Sequence, residues 1–331
     1  MNRQVTGTLW RIGRWLMLVV LFLLPPCLSA EKAPASPSFQ ITFRVGKSGF
    51  IFVDANFSGS GPTRTFMLDS GVSGPAILDS GTAIAAGLKS KQRGALRVEG
   101  LAPQSSSTTD WREVTIRQGR VTLLRGPLPT LDMSAFSRLV DERLAGVLGA
   151  GFISEHVVEI DYVEKKLNFF DKKAFQYEGP GHILPLVANT DMFIATANLQ
   201  MRDCETVPFT VKLDLGSNAA VTVLHTFLNS HPKLGLAGMA LPSIGTQGQS
   251  LNGYLGVIHH LNLAGFDMPA KELLLLREDS IAKKERVTDG SVGIRVLGNF
   301  TIFFDRPGNR VILEPRAGRP LETVPPCVVD P

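Results

Sequence analysis

A chain of 331 residues with 44% hydrophobic and 19% charged residues has the composition of a folded globular protein, one large domain or two of ordinary size, which excludes a disordered chain. The formal charge of +4 owes much to the first 30 residues, where Arg3, Arg11 and Arg14 stand without any acid; without them it falls to about +1. The basic balance therefore gives no reason to expect a nucleic-acid partner.

Residues 1–30 read as an export signal: a basic start, an apolar run from Trp15 to Leu24, then Pro25-Pro26 and the small residues Ser29-Ala30. The expected location is periplasmic or secreted. The apolar run is shorter than the roughly 20 residues a membrane span needs, so an uncleaved N-terminal anchor is the one membrane attachment to consider. Cys27 follows Leu24-Pro25-Pro26, a poor setting for lipid modification. Residues 31–38, rich in Ala, Pro and Ser, read as a linker.

Strand-like runs follow in order: "FQITFRV", "GFIFVDANF", "TFMLDSG", "RVTLL", "VVEIDY" and "KLNFF", each rich in β-branched and aromatic residues and bounded by Gly, Pro or polar turns. Long helical periodicity is scarce, which predicts a mainly β protein with a few short helices. Asp79 precedes "SGTAIAAGL", and is expected to cap a short helix by accepting backbone N–H bonds. His259-His260 lies in an apolar strand-like stretch, and no Cys-x-x-Cys or Cys/His cluster suggests a metal. After export Cys204 and Cys327 are the only cysteines, a count that permits one disulfide and equally allows two free thiols.

The chain also repeats itself. "FIFVDANFSGSGPTRTFMLDSGVS" aligns with "MFIATANLQMRDCETVPFTVKLDLGSN", bringing Asp69-Ser70-Gly71 onto Asp214-Leu215-Gly216. Farther on, "AGVLGAGFI" matches "IRVLGNFTI", pairing Gly149 with Gly298 at nearly the same distance from each Asp. Each copy ends on an Asp that opens a turn into a last strand, so Asp161 and Asp305 are expected to be turn acids. An Asp-x-Gly alone is common by chance; two of them, each after an apolar strand and each with an apolar-apolar-Gly partner, form a specific pattern.

That pattern resembles the two-lobed aspartic proteases of the pepsin and retropepsin superfamily, over the span from Phe39 to Pro315. The resemblance implies a mainly β, two-lobed pepsin-like acid protease fold of duplicated retropepsin-like lobes, with residues 39–180 as the N-terminal lobe, 181–316 as the C-terminal lobe and 317–331 as a tail. It implies a monomeric endopeptidase acting on peptide or protein, with Asp69 and Asp214 as catalytic pair and neither metal nor organic cofactor. Two facing carboxylates cannot both ionise cheaply, so one keeps a proton while the other activates water.

Ser70, Gly71, Gly216 and Ser217 are implied as support for the active-site turns. In the family a hydroxyl after each Asp reaches into the opposite lobe; Ser70 can make that brace and Leu215 cannot. Three positions after each Asp stand Val72 and Ser217, so a Ser217 donor is expected to favour ionised Asp214 and leave Asp69 protonated. Trp111 and Tyr254, each following a polar run, are the candidates for an aromatic residue on a flap over the cleft. Two other readings are open: a peptide-binding protein that keeps the fold with weak or lost turnover, for which Leu215 speaks, and a structural β protein in which the repeat records duplication alone.

Overall fold

Strands form where β-branched and aromatic residues run together, and their alternation decides what each face meets. In the segment Thr206–Asp214 every second side chain, Val207, Phe209, Val211 and Leu213, is buried, which leaves Thr210, Lys212 and Asp214 together on the other face. The computed structural model describes residues 36–59, 61–97, 106–187, 190–232, 234, 236–244, 250–256, 258–269, 273–276 and 287–328. The expected export signal and most of the expected linker lie outside these residues, and among them no helix is long and apolar enough to cross a membrane.

The first half holds β1 (Phe39–Thr42), β2 (Arg44–Val45), β3 (Ile51–Phe57), β4 (Arg64–Leu68), β5 (Ala76–Asp79) and α1 (Ser80–Ala85). It continues with β6 (Ser90–Arg97), β7 (Ser106–Gln118), β8 (Val121–Leu131), α2 (Ser134–Leu139), β9 (Leu144–Leu148), α3 (Ala150–Ser154), β10 (Val157–Asp161) and β11 (Lys166–Phe170). The second half holds β12 (His182–Pro185), β13 (Ile194–Gln200), β14 (Thr206–Asp214), β15 (Val221–Leu224), α4 (His225–Ser230), β16 (Leu236–Ile244) and β17 (Ser250–Gly256). It closes with β18 (His260–Leu263), β19 (Phe266–Met268), β20 (Leu273–Leu276), β21 (Gly290–Gly293), α5 (Ile294–Leu297), β22 (Phe300–Asp305) and β23 (Arg310–Pro315). The protein is mainly β with a few short helices.

Each half builds one large sheet, and the two have the same order. The eight-stranded sheet runs β2-β3-β4-β9-β5-β8-β7-β6, and the nine-stranded sheet, from its other edge, runs β19-β18-β13-β14-β21-β15-β20-β17-β16. From β3 and β13 onward the strands correspond one to one. The pairing senses agree as well: β4 with β9 and β14 with β21 are parallel, β5 with β9 and β15 with β21 antiparallel, and β5 with β8 and β15 with β20 parallel. A six-stranded sheet, β1-β11-β10-β22-β23-β12, takes three strands from each half and joins them through the antiparallel β10–β22 pair, Val157 opposite Asp305 and Ile160 opposite Ile302.

One continuous core contains Phe66 and Leu68 of β4, Phe209 and Leu213 of β14, and Leu215 just after β14. A separate cluster of Phe50, Phe52, Met67, Ile77 and Val147 packs on the other face of the first half's sheet. β4 is thus apolar on both faces, whereas β14 is apolar on one. Cys204, in the β13–β14 hairpin, is bonded to Cys327, with Cα atoms 5.6 Å apart. Of the two states the cysteine count permitted, the structure has the disulfide, which ties the C-terminal tail to the hairpin.

Candidate active site

The two Asp-x-Gly turns begin where β4 and β14 end, and their local bonding is the same. The Gly71 N–H donates to Asp69 Oδ1 at 2.8 Å, and the Gly216 N–H donates to Asp214 Oδ1 at 3.1 Å. One residue on, Val72 N–H reaches Asp69 O and Ser217 N–H reaches Asp214 O, both at 3.2 Å. Each turn leans on a later glycine. The N–H groups of Gly149 and Gly293 donate to Pro75 O and Ala220 O, and those of Ala150 and Ile294 donate to Val72 O and Ser217 O. A Cβ on Gly149 would collide with the carbonyls of Val72 and Gly74, and one on Gly293 with those of Ser217 and Ala219. The structural partner of Gly149 is therefore Gly293, not the Gly298 expected from the matching "VLG" letters; Gly298 is the C-cap of α5.

The structure brings the two turns together. A Cβ on Gly71 would fall within the carboxylate of Asp214, 2.6 Å from Oδ2, and one on Gly216 would fall within the carboxylate of Asp69. Neither glycine has a positive φ. Both positions need glycine because the opposite carboxylate occupies the space of a side chain. Ser70, fully buried, spans the contact: its hydroxyl donates to Leu213 O at 2.7 Å and accepts from the Leu215 N–H at 3.0 Å. Leu215 points into the core, so no hydroxyl makes the return crossing. Asp191 adds a further tie between the halves, its Oδ2 accepting the Gly74 N–H at 2.5 Å.

The two acids sit in different surroundings. Asp69 is 4% exposed. Burial, reinforced by the charge of Asp214 and a hydrogen bond between the two carboxyls, pushes its pKa up to about 7 against the opposing pull of Lys212 and the Gly71 N–H. Asp214 lies beside Lys212, whose Nζ is 3.1 Å from Asp214 Oδ2 and also donates to Gly71 O at 3.1 Å. This corrects the expectation for Ser217, whose hydroxyl accepts from the Ala219 N–H at 3.4 Å. The residue supports the turn through its backbone, and the cation at Asp214 Oδ2 is the Lys212 ammonium.

Trp111 is at the base of the β6–β7 hairpin, opposite Gln92 and Pro129, beside Gly94, rather than near the hairpin's end. That end, residues 98–105, is outside the described residues. Tyr254 falls in β17 between Ala240 and Leu275, and its side chain is outside the described part of the structure. Asp79 caps α1, accepting from the N–H groups of Thr82 at 2.7 Å and Met133 at 3.1 Å. Asp161 accepts from the N–H groups of Val163 and Glu164 in its turn, and Asp305 accepts from the Gly308 N–H and pairs with Arg310. Among the described residues no group of three or more His, Cys, Asp or Glu side chains could hold a metal ion.

Lys212 and Asp191 escaped the sequence reading. The available signal for Lys212 was a mismatch inside the repeat: two positions before the first Asp stands Met67, and two before the second stands a lysine on the Asp-bearing face. Asp191 carries no such signal, since its partner is a backbone N–H far away in the chain. No protein-family model matches this chain, and no curated protein matches it in sequence.

Proposed function

We propose that this chain is an exported aspartic endopeptidase of the pepsin and retropepsin type, two-lobed and monomeric, cutting peptide or protein substrates with Asp69 and Asp214. The observation that carries the reading is the crossing of the two turns, each carboxylate resting against the other's glycine, with the buried Asp69 retaining its proton toward neutral pH. The matching strand orders of the two large sheets support duplicated lobes. The Cys204–Cys327 bond supports an oxidising destination and hence the export signal.

The chemistry follows from the asymmetry. Asp214, beside Lys212, takes a proton from a water held between the acids as the water oxygen attacks the peptide carbonyl carbon, while Asp69 gives its proton to the carbonyl oxygen. The tetrahedral diol then collapses. Asp214 passes the proton it gained to the leaving nitrogen, the C–N bond breaks, and Asp69 recovers a proton from a diol hydroxyl. The pair ends as it began, and the reaction needs no electrophile beyond the proton.

A second reading, a peptide-binding protein with weak or lost turnover, is favoured by Leu215, which removes one of the two hydroxyl braces. Cleavage of an unfolded protein between about pH 4 and 7 separates the two. The endopeptidase reading expects fragments, inhibition by a statine-type transition-state mimic, and loss of cleavage in Asp69→Asn and Asp214→Asn. Binding of peptide with no cleavage across that range would establish the second reading.

A further inference from the structure

The repeat calls for an apolar residue at position 212. Its counterpart, Met67, is fully buried and packs with Phe52, Ile77 and Val147. Lys212 lies on the face of β14 that carries Asp214, with its side chain only 22% exposed. A lysine held this far from water needs compensation by charge or hydrogen bonds. Both are present and come from different turns: the carboxylate of Asp214 in the second half and the carbonyl of Gly71 in the first, each 3.1 Å from Nζ.

Set beside the Ser70 bridge, this arrangement has a clear use. Ser70 reaches from the first turn to Leu213 O and the Leu215 N–H of the second. A return crossing, from the second turn to the first, has no hydroxyl to make it because Leu215 is apolar and buried. The Lys212 ammonium runs in that missing direction. We propose, on the reading of this site as a peptidase pair, that Lys212 is a positioning residue that replaces the absent second hydroxyl, tying the second turn to the Gly71 carbonyl and fixing a positive charge against the Asp214 carboxylate.

Several charged groups among the described residues bear on this pair. The acids within the site are Asp69 and Asp214; Asp289 accepts the Thr210 N–H farther down β14, and Asp191 is taken by the Gly74 N–H. Among charged groups, Asp214 and Lys212 are the ones that move the titration of Asp69, and Lys212 pulls it down. A cation fixed here lowers both proton affinities of a coupled pair, so it moves the range in which the pair carries one proton toward acid pH.

The test is a carboxyl-carbon NMR titration of the full chain, alongside pH profiles of kcat/KM, for the parent, Lys212→Met and Lys212→Arg. Methionine is the residue the first half has at this place, and Lys212→Gln serves if Lys212→Met does not fold. The expected result is that both apparent pKa values of the pair rise by about 1–2 pH units in Lys212→Met, that the limbs of the activity profile move with them, and that Lys212→Arg restores the parent values. Folded Lys212→Met with titration curves superposing on the parent's overturns the proposal, as does Lys212→Arg titrating like Lys212→Met. The titration needs no turnover. A parent that cleaves nothing but whose pair responds to these substitutions would refute the peptidase reading while leaving the role of Lys212 intact.

Discussion

The first turn, Met67 to Val72, and the second, Lys212 to Ser217, have one backbone and two chemistries. Their hydrogen bonds coincide residue for residue, from the Asp carboxylate on the Gly N–H to the later glycine packed beneath. Their side chains do not. The first turn supplies a buried acid, a hydroxyl that crosses to its neighbour and an apolar residue two places before. The second supplies a less buried acid, an apolar residue in place of the hydroxyl and a lysine two places before. On the proposed reading, the different side chains set in one shared frame separate the acids into a proton holder and a base. Such divergence lets a pair of identical groups carry distinct roles without any change of fold.

That comparison can be broken or sharpened by substitution. The largest effect is expected at the crossing: Gly216→Ala puts a methyl group into the space of the Asp69 carboxylate, and peptide cleavage should fall by at least about 10²-fold while circular dichroism still reports a β protein. Gly71→Ala should behave alike against Asp214, and an effect at only one of the two would mean that the turns do not meet symmetrically.

Asp69→Asn tests the buried acid through stability. The folded-state pKa of Asp69 is raised to about 7 from the ordinary 3.8, so its favourable contribution is complete below the lower value and is lost as pH rises through the higher. Asn avoids that loss. The variant should therefore gain stability over the parent on going from about pH 4 to 8, on the order of 4 kcal/mol by thermal or urea denaturation. A difference that is independent of pH would contradict the assignment of Asp69 as the acid held protonated.

Smaller effects compare the two hydroxyls. Ser70→Ala leaves the Leu215 N–H without its buried acceptor and should cost about 1–3 kcal/mol in urea denaturation. Ser217→Ala, whose hydroxyl meets only a neighbouring N–H at 3.4 Å, should stay within about 0.5 kcal/mol and leave the pH profile of cleavage unchanged. Equal costs at the two serines would remove the distinction drawn between the turns.

Much of this was legible in the sequence, for physical reasons that can be stated. The apolar runs of β3, β4, β10 and β11 were readable because β-branched and aromatic residues gather in them between Gly, Pro and polar turns. The repeat located both turns, and Asp79 was readable as a cap because an acid before a short Ala-rich stretch has local N–H groups to accept. The partner glycine was misread because letters were matched where geometry decides. What Gly149 and Gly293 share is a missing Cβ beneath two carbonyls, and the Val-Leu before Gly298 has no part in that. Lys212 was missed for a different reason. A lysine at an alternate position of a strand is the ordinary sign of a solvent-facing side chain, and it is the approach of the first turn that brings the Gly71 carbonyl to its ammonium.

The central claim, that Asp69 and Asp214 act as one unit, is tested most directly by kcat/KM for peptide cleavage in Asp69→Asn, Asp214→Asn and the double variant. The account predicts that each single substitution costs at least about 10³-fold and that the double costs little more, because a pair missing either member has already lost its function. Single variants that retain parent-like turnover, or losses that multiply in the double variant, would contradict it.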